Sequence, residues 1–110
     1  MEKKIEEVIA QNLKYYMELK DIQQKQVADR LGVSASTVSY WIRGLQMPRT
    51  DKIDELCSML MIEREQLLLP KEESDKAIII REITDIAKTL DTEQLKMLLK
   101  LTKAMKEEEE

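Results

Sequence analysis

Apolar residues recur along this chain at three- and four-residue spacings, the period of helices that bury one face. Ile5, Val8, Ile9, Leu13, Tyr16 and Met17 fall on or near one such face and predict a first helix over Ile5–Leu19. Lys20 and Asp21 then make a turn, with Ile22 tucked beneath it. A second helical pattern runs over Gln24–Leu31. Gln23 is a weaker N-cap than Ser or Thr, so a less rigid start is expected there. Gly32 breaks the pattern. Ser34 is placed to cap a third helix over Ala35–Arg43, which Gly44 ends. Thr50 is expected to cap a fourth helix from Asp51 to about Leu60, with Asp51 at the positive end of its dipole. A short fifth helix near Arg64–Leu68 is closed by Pro70.

Lys71–Asp75 reads KEESD, a polar and acidic run expected to be a linker. Beyond it a helical hairpin is predicted. Its first arm, about Lys76–Leu90, carries Ile79, Ile83, Ile86 and Leu90 at spacings of four, three and four, a coiled-coil-like seam. Asp91 caps the second arm and Gln94 completes a variant of the capping box. There Leu95, Leu98, Thr102 and Met105 form one stripe, widened by Met97, Leu99 and Leu101. Two helices cannot bury so broad an apolar surface on themselves. The seam residues with Leu95, Leu98, Leu101 and Met105 are therefore expected to meet the N-terminal part or a second subunit. Glu107–Glu110 places acids at a helix C-terminus, against the dipole, and is expected to fray. The expected organisation is a helical domain over 1–70, a linker over 71–75, a hairpin over 76–106 and an acidic tail over 107–110. No internal repeat is evident.

Composition sharpens this picture. Gly and Pro number two each, which favours helices with short links over a sheet. Phe is absent, so Leu, Ile, Val and Met must fill the core. No apolar run approaches the length of a membrane helix, and MEKKIEE lacks a signal-peptide apolar region, so a cytoplasmic protein with no membrane partner is expected. There is no His and one Cys, so neither a zinc site nor histidine catalysis is expected. Without a nucleophile–base set or a Gly-rich phosphate loop, the chain is not expected to be an enzyme or to carry a cofactor or metal. Cys57 lies in the stripe Ile53, Leu56, Cys57, Leu60 and reads as a small core residue. The net charge is −4, but it is uneven. Lys20–Lys52 holds six basic and three acidic residues, whereas Lys71–Glu110 holds eight basic and eleven acidic ones. A modestly basic face and an acidic C-terminal part fit a surface for DNA and a segment that stays off it.

Gln24–Arg43 reads QKQVADRLGVSASTVSYWIR. Two short helices joined by a Gly-containing turn form a helix-turn-helix, whose second helix can enter the major groove. Ala28 is small where the helices would cross, and Gly32 sits where the turn needs positive φ. Val33, Val38 and Trp41 supply apolar anchors, with Trp41 expected in the core.

This stretch resembles the helix-turn-helix of the Cro/repressor, or Xre, family, and the resemblance extends over about residues 5–70. It implies an all-α fold, a five-helix lambda-repressor-like DNA-binding domain, here followed by the hairpin. It implies a sequence-specific transcriptional regulator, most simply a repressor, that binds an inverted repeat of double-stranded DNA as a homodimer. By resemblance, Ser34, Ala35, Ser36, Ser39 and Tyr40 face the bases. For Ser34 capping is the favoured role, and for Ser36 and Ser39 it is DNA contact. Gln24, Arg43 and Arg49 are the leading phosphate binders, with Lys25 and Lys52 behind them. Many relatives carry an Arg in the first helix and a Glu late in the third, which pair inside the domain. Met17 and Ile42 stand at those positions here and are expected to pack on each other. The 40 residues after Pro70 are too few for the self-cleaving domain of larger phage repressors. A second reading makes the hairpin a protein-interaction module, as in an antitoxin, with a toxin or a protein antagonist as partner.

Overall fold

A computed structural model of the chain describes residues 3–108. Among these residues there are seven α-helices and no strand. They are α1 (Ile5–Leu19), α2 (Gln24–Leu31), α3 (Ala35–Ile42), α4 (Thr50–Leu60), α5 (Arg64–Leu68), α6 (Lys71–Ala87) and α7 (Thr92–Glu108). The chain divides into two compact units, Met1–Ala77 and Ile78–Glu110.

The first unit owns the core. α1 packs against α3 and α5, α2 against α3 and α4, and α4 against α5. Ile9, Leu13, Val27, Val38, Leu56, Leu60 and Leu67 are fully buried at the centre of this arrangement. Each such side chain contributes ~1.5–3 kcal/mol by leaving water, which offsets the entropy of ordering short helices. Trp41, at 2% exposure, and Cys57 lie in the same cluster, as the pattern predicts. Burial pushes the Cys57 thiol up from its usual 9.0, and the nearby Arg64 charge offsets part of that shift.

Local chemistry sets the boundaries. Asp21 adopts φ 55° and reverses the chain, so that the Ile22 N–H donates to Met17 O at 2.8 Å. The start of α2 is firmer than expected, because Gln26 Oε1 accepts from the Gln23 N–H at 2.7 Å. Arg49, not Thr50, is the N-cap residue of α4, and Thr50 is its first helical residue. The Arg49 carbonyl accepts from Ile53 N at 2.9 Å, which moves the helix start one residue ahead of the expected cap. α3 ends at Ile42, with Arg43 as its C-cap residue.

The segment KEESD is not a linker: it forms the first turns of α6. Leu69 is extended, as a residue before proline is biased to be, which ends α5. The Pro70 carbonyl then accepts from Ser74 N at 2.9 Å and opens the next helix. Glu72 and Glu73 suit the helix N-terminus, and Lys71 pairs with Asp75 one turn later at 3.1 Å. An acidic run that resembles a linker is also what a helix start requires.

Asn12 joins the two ends of the first unit. Its Nδ2 donates to Leu67 O at 2.9 Å and to Leu69 O at 2.8 Å, and the residue is 7% exposed. Those carbonyls close α5, where helix geometry supplies no partner of its own.

In the second unit no side chain of residues 78–108 is buried. The capping box of α7 forms as expected, with Gln94 N donating to Asp91 Oδ1 at 2.8 Å and Asp91 N to Gln94 Oε1 at 3.0 Å. Leu90 lies in the turn rather than on the first arm, since α6 ends at Ala87 in a tight turn with Leu90 N donating to Ala87 O at 3.1 Å. Ile79, Ile83, Ile86, Leu95, Leu101 and Met105 are exposed, and Leu90 and Leu98 half-buried. Glu107 and Glu108 complete α7, and the rest of the expected frayed tail, 109–110, lies outside the described residues. Among the described residues no helix is long and apolar enough to cross a membrane.

Candidate nucleic-acid interface

α2 and α3 meet through the turn that the sequence predicts. Gly32 adopts φ 68° and ψ 34°, and Val33 N donates to Ala28 O at 3.0 Å. That is the hydrogen bond of a Schellman turn, which needs a residue in the left-handed region. An added Cβ at Gly32 would meet nothing within 4 Å, so backbone conformation alone calls for glycine there. Ala28, 6% exposed, lets α2 and α3 approach. Lys52 braces the same corner from α4, donating from Nζ to Leu31 O at 2.8 Å.

α3 is two-sided. Val38 and Trp41 face the core, at 0% and 2% exposure. Ala35, Ser36 and Tyr40 are exposed, and Ser39 half-buried. Ser34 is committed to the helix: its Oγ accepts from Thr37 N at 3.1 Å and lies 2.8 Å from Thr37 Oγ1. Gln24, Ala35, Ser36, Ser39, Tyr40 and Arg43 line one shallow depression. It joins the first turn of α2 to the outer face of α3. Of the expected DNA-facing residues, Ser34, Lys25, Arg49 and Lys52 lie outside it, the first three exposed and Lys52 half-buried.

The cations sort themselves by partner. Lys52 binds the Leu31 carbonyl and Glu55, at 2.8 and 3.3 Å, so its place is structural. Arg64 pairs with Asp54 at 2.7 Å and Lys71 with Asp75. Among the described residues no carboxylate pairs with Lys25, Arg43 or Arg49. The Arg43 guanidinium instead lies over the Tyr40 ring, 5.4 Å from its centroid. Free cations beside hydroxyls and a methyl make a surface that can hold phosphates and touch base edges.

Behind α3, Met17 is buried and Ile42 half-buried against the apolar cluster, and both line one cleft with Ile22. No charge remains at either position. The bracing by Lys52 and the clamp by Asn12 are not foreseen by the sequence pattern. Lys52 shows there only as one more basic residue, and Asn12 only as a polar interruption of an apolar face.

A helical core that presents a capped, two-sided helix beside a tight glycine turn defines a helix-turn-helix DNA-binding module. A helix-turn-helix family model matches residues 13–73. The chain belongs to this family, of the Cro/repressor or Xre type. Among solved structures, it is similar to the SOS-response transcriptional repressor LexA from Eubacterium rectale. That match has 27% identity and a TM-score of 0.59, and spans 64% of this chain and 76% of that one. The hypothetical transcription factor NHTF from Neisseria shares 26% identity, with a TM-score of 0.60 over 67% of this chain and 85% of that one. The SinR protein/SinI protein complex shares the fold, at 24% identity and a TM-score of 0.55, over 90% of this chain and 98% of that one. Among curated proteins, none matches the chain significantly. The protein is a DNA-binding transcriptional regulator.

Proposed function

We propose that the protein is a sequence-specific repressor that binds an inverted-repeat operator as a homodimer. The observation that carries this reading is the single depression lined by Gln24, Ala35, Ser36, Ser39, Tyr40 and Arg43. α3 enters the major groove. The Ala35 methyl packs on a thymine methyl, and the Ser36 and Ser39 hydroxyls bond to base edges. Gln24 and the backbone N–H groups that open α2 meet one phosphate, while Arg43, Arg49 and Lys25 meet others. Ser34 contributes through the cap that fixes the start of α3. None of the readers makes the bidentate contact that Arg gives guanine or Gln gives adenine. Specificity therefore draws on DNA shape and on two motifs held about 34 Å apart. Occupancy of the operator excludes the polymerase.

The second copy is recruited by the exposed stripe of α6 and α7. Ile79, Ile83 and Ile86 are 56%, 51% and 62% exposed, and Leu101 and Met105 are 59% and 65% exposed. A stripe of that breadth on a soluble chain marks an association surface. The same observation supports a second reading, in which a toxin or a protein antagonist covers the stripe.

Selection from a random DNA pool at several salt concentrations tests the main reading. An enriched inverted repeat whose affinity falls steeply with added salt is expected. No enriched sequence and no salt dependence would overturn it. Sedimentation of Ile83→Lys tests the dimer, which is expected to dissociate at concentrations where the wild type does not. An unchanged dimer would leave the stripe to another protein.

A further inference from the structure

We propose that Tyr40 is a positioning residue for Arg43 and not a reader of base edges. Its ring holds the guanidinium in place, so that the phosphate-binding group reaches DNA already ordered. This rests on the DNA-binding reading above and assigns Tyr40 a different task within it.

Three observations carry the inference. The Arg43 guanidinium carbon lies 5.4 Å from the centroid of the Tyr40 ring, within the range where the ring quadrupole attracts a cation. Tyr40 and Arg43 are three residues apart at the end of α3, so both project from the same face of its last turn. Recognition helices of this motif read bases chiefly with their N-terminal residues, which here begin with Ala35 and Ser36. Tyr40 belongs instead to the C-terminal half, beside the residue that caps it.

The chemistry of the pair suits the task. A guanidinium lying over a ring spends none of its N–H donors on the ring, so all remain for phosphate oxygens. Among the described residues no carboxylate competes for Arg43. A free arginine loses much rotamer freedom when a phosphate fixes it, and a side chain already resting on Tyr40 loses less. Tyr40 is 42% exposed, so its replacement leaves the core intact.

The test uses the full chain and the sequence enriched by selection. Wild type, Tyr40→Phe, Tyr40→Leu, Arg43→Met and the Tyr40→Leu/Arg43→Met double variant are titrated over a range of salt. Tyr40→Phe is expected to bind like the wild type with the same base preference. Tyr40→Leu is expected to weaken binding about two- to fivefold per half-site, again without changing base preference. In the Arg43→Met background, Tyr40→Leu is expected to cost nothing more. Without DNA, the Arg43 side-chain protons are expected upfield in the wild type and Tyr40→Phe, and at free-arginine positions in Tyr40→Leu. A changed base preference in Tyr40→Phe would overturn the inference in favour of a hydroxyl contact. An undiminished loss in the Arg43→Met background, or no ring-current shift on Arg43, would overturn it as well. Failure of the wild type to bind with salt dependence would overturn the DNA reading itself, an outcome distinct from any pattern among the variants.

Discussion

Replacing Asn12 by Leu removes both donors of a buried clamp while keeping the branched shape and the number of side-chain heavy atoms. The Asn12 amide donates to Leu67 O at 2.9 Å and Leu69 O at 2.8 Å from a site 7% exposed. Each carbonyl left without its donor costs ~1–3 kcal/mol. The added apolar burial returns ~1 kcal/mol. The net expected loss is about 1–5 kcal/mol, a large share of the stability of a small domain. Asn12→Asp is expected to cost more, because an ionised carboxylate only accepts hydrogen bonds and would face two carbonyl oxygens. Burial among acceptors raises the folded pKa of that carboxyl. The extra penalty is therefore absent below the ordinary carboxyl value and grows as pH rises through it. Hydrogen exchange of the buried amides in α1 and α4 under native conditions gives the opening free energy directly. A loss below ~1 kcal/mol for Asn12→Leu, or an Asn12→Asp variant milder than Asn12→Leu, would refute the clamp.

Gly32→Ala is expected to lower stability by ~1 kcal/mol through backbone strain alone, since φ is 68° and space is open, while Met61→Gly, at φ 56°, is expected to raise the melting temperature. A rise for the first or a fall for the second in thermal melts would contradict the backbone argument. Arg49→Gln is expected to reduce the slope of log affinity on log salt by about one per half-site, whereas Lys52→Gln leaves the slope alone and costs ~1 kcal/mol of stability. Titrations at several salt concentrations separate the two. Burial of Cys57 stabilises the fold fully below pH 9.0, the usual thiol value, and that contribution is lost as pH rises beyond it. Alkaline denaturation is therefore expected to begin at higher pH in Cys57→Val, and coincident curves would argue against a titrating thiol.

The helices and the core of the first unit are legible because each rests on local signals that agree. Period, Gly32 and the Ser34 cap all point to α2 and α3. The proposed DNA-facing depression is legible for the same reason, since Gln24, Ala35, Ser36, Ser39, Tyr40 and Arg43 fall together once the turn is known. Ambiguity enters where one composition serves two purposes. KEESD has the polarity of a linker and the charges of a helix N-terminus, and only the Pro70 carbonyl bond to Ser74 separates them. Lys52 and Arg49 are equal as charges in the sequence. What sets Lys52 apart is that its Nζ donates to the Leu31 carbonyl across the fold, a contact between residues 21 positions apart. Asn12 depends on carbonyls 55 and 57 positions away, beyond the reach of any local pattern.

The placement of aromatic residues gives the two units separate optical signatures. Tyr15, Tyr16, Tyr40 and Trp41 are all the aromatics of the chain, and all lie in Met1–Ala77. Trp41 is the sole indole and is 2% exposed at the centre of that unit. Its emission and the near-ultraviolet dichroism therefore report the DNA-binding unit alone. The far-ultraviolet signal sums the helices of both. Melting followed at the two wavelengths resolves the C-terminal helices by difference, with no label and no truncation. Adding operator shifts the emission-detected transition by mass action, and a dimer held through α6 and α7 makes the remainder depend on protein concentration.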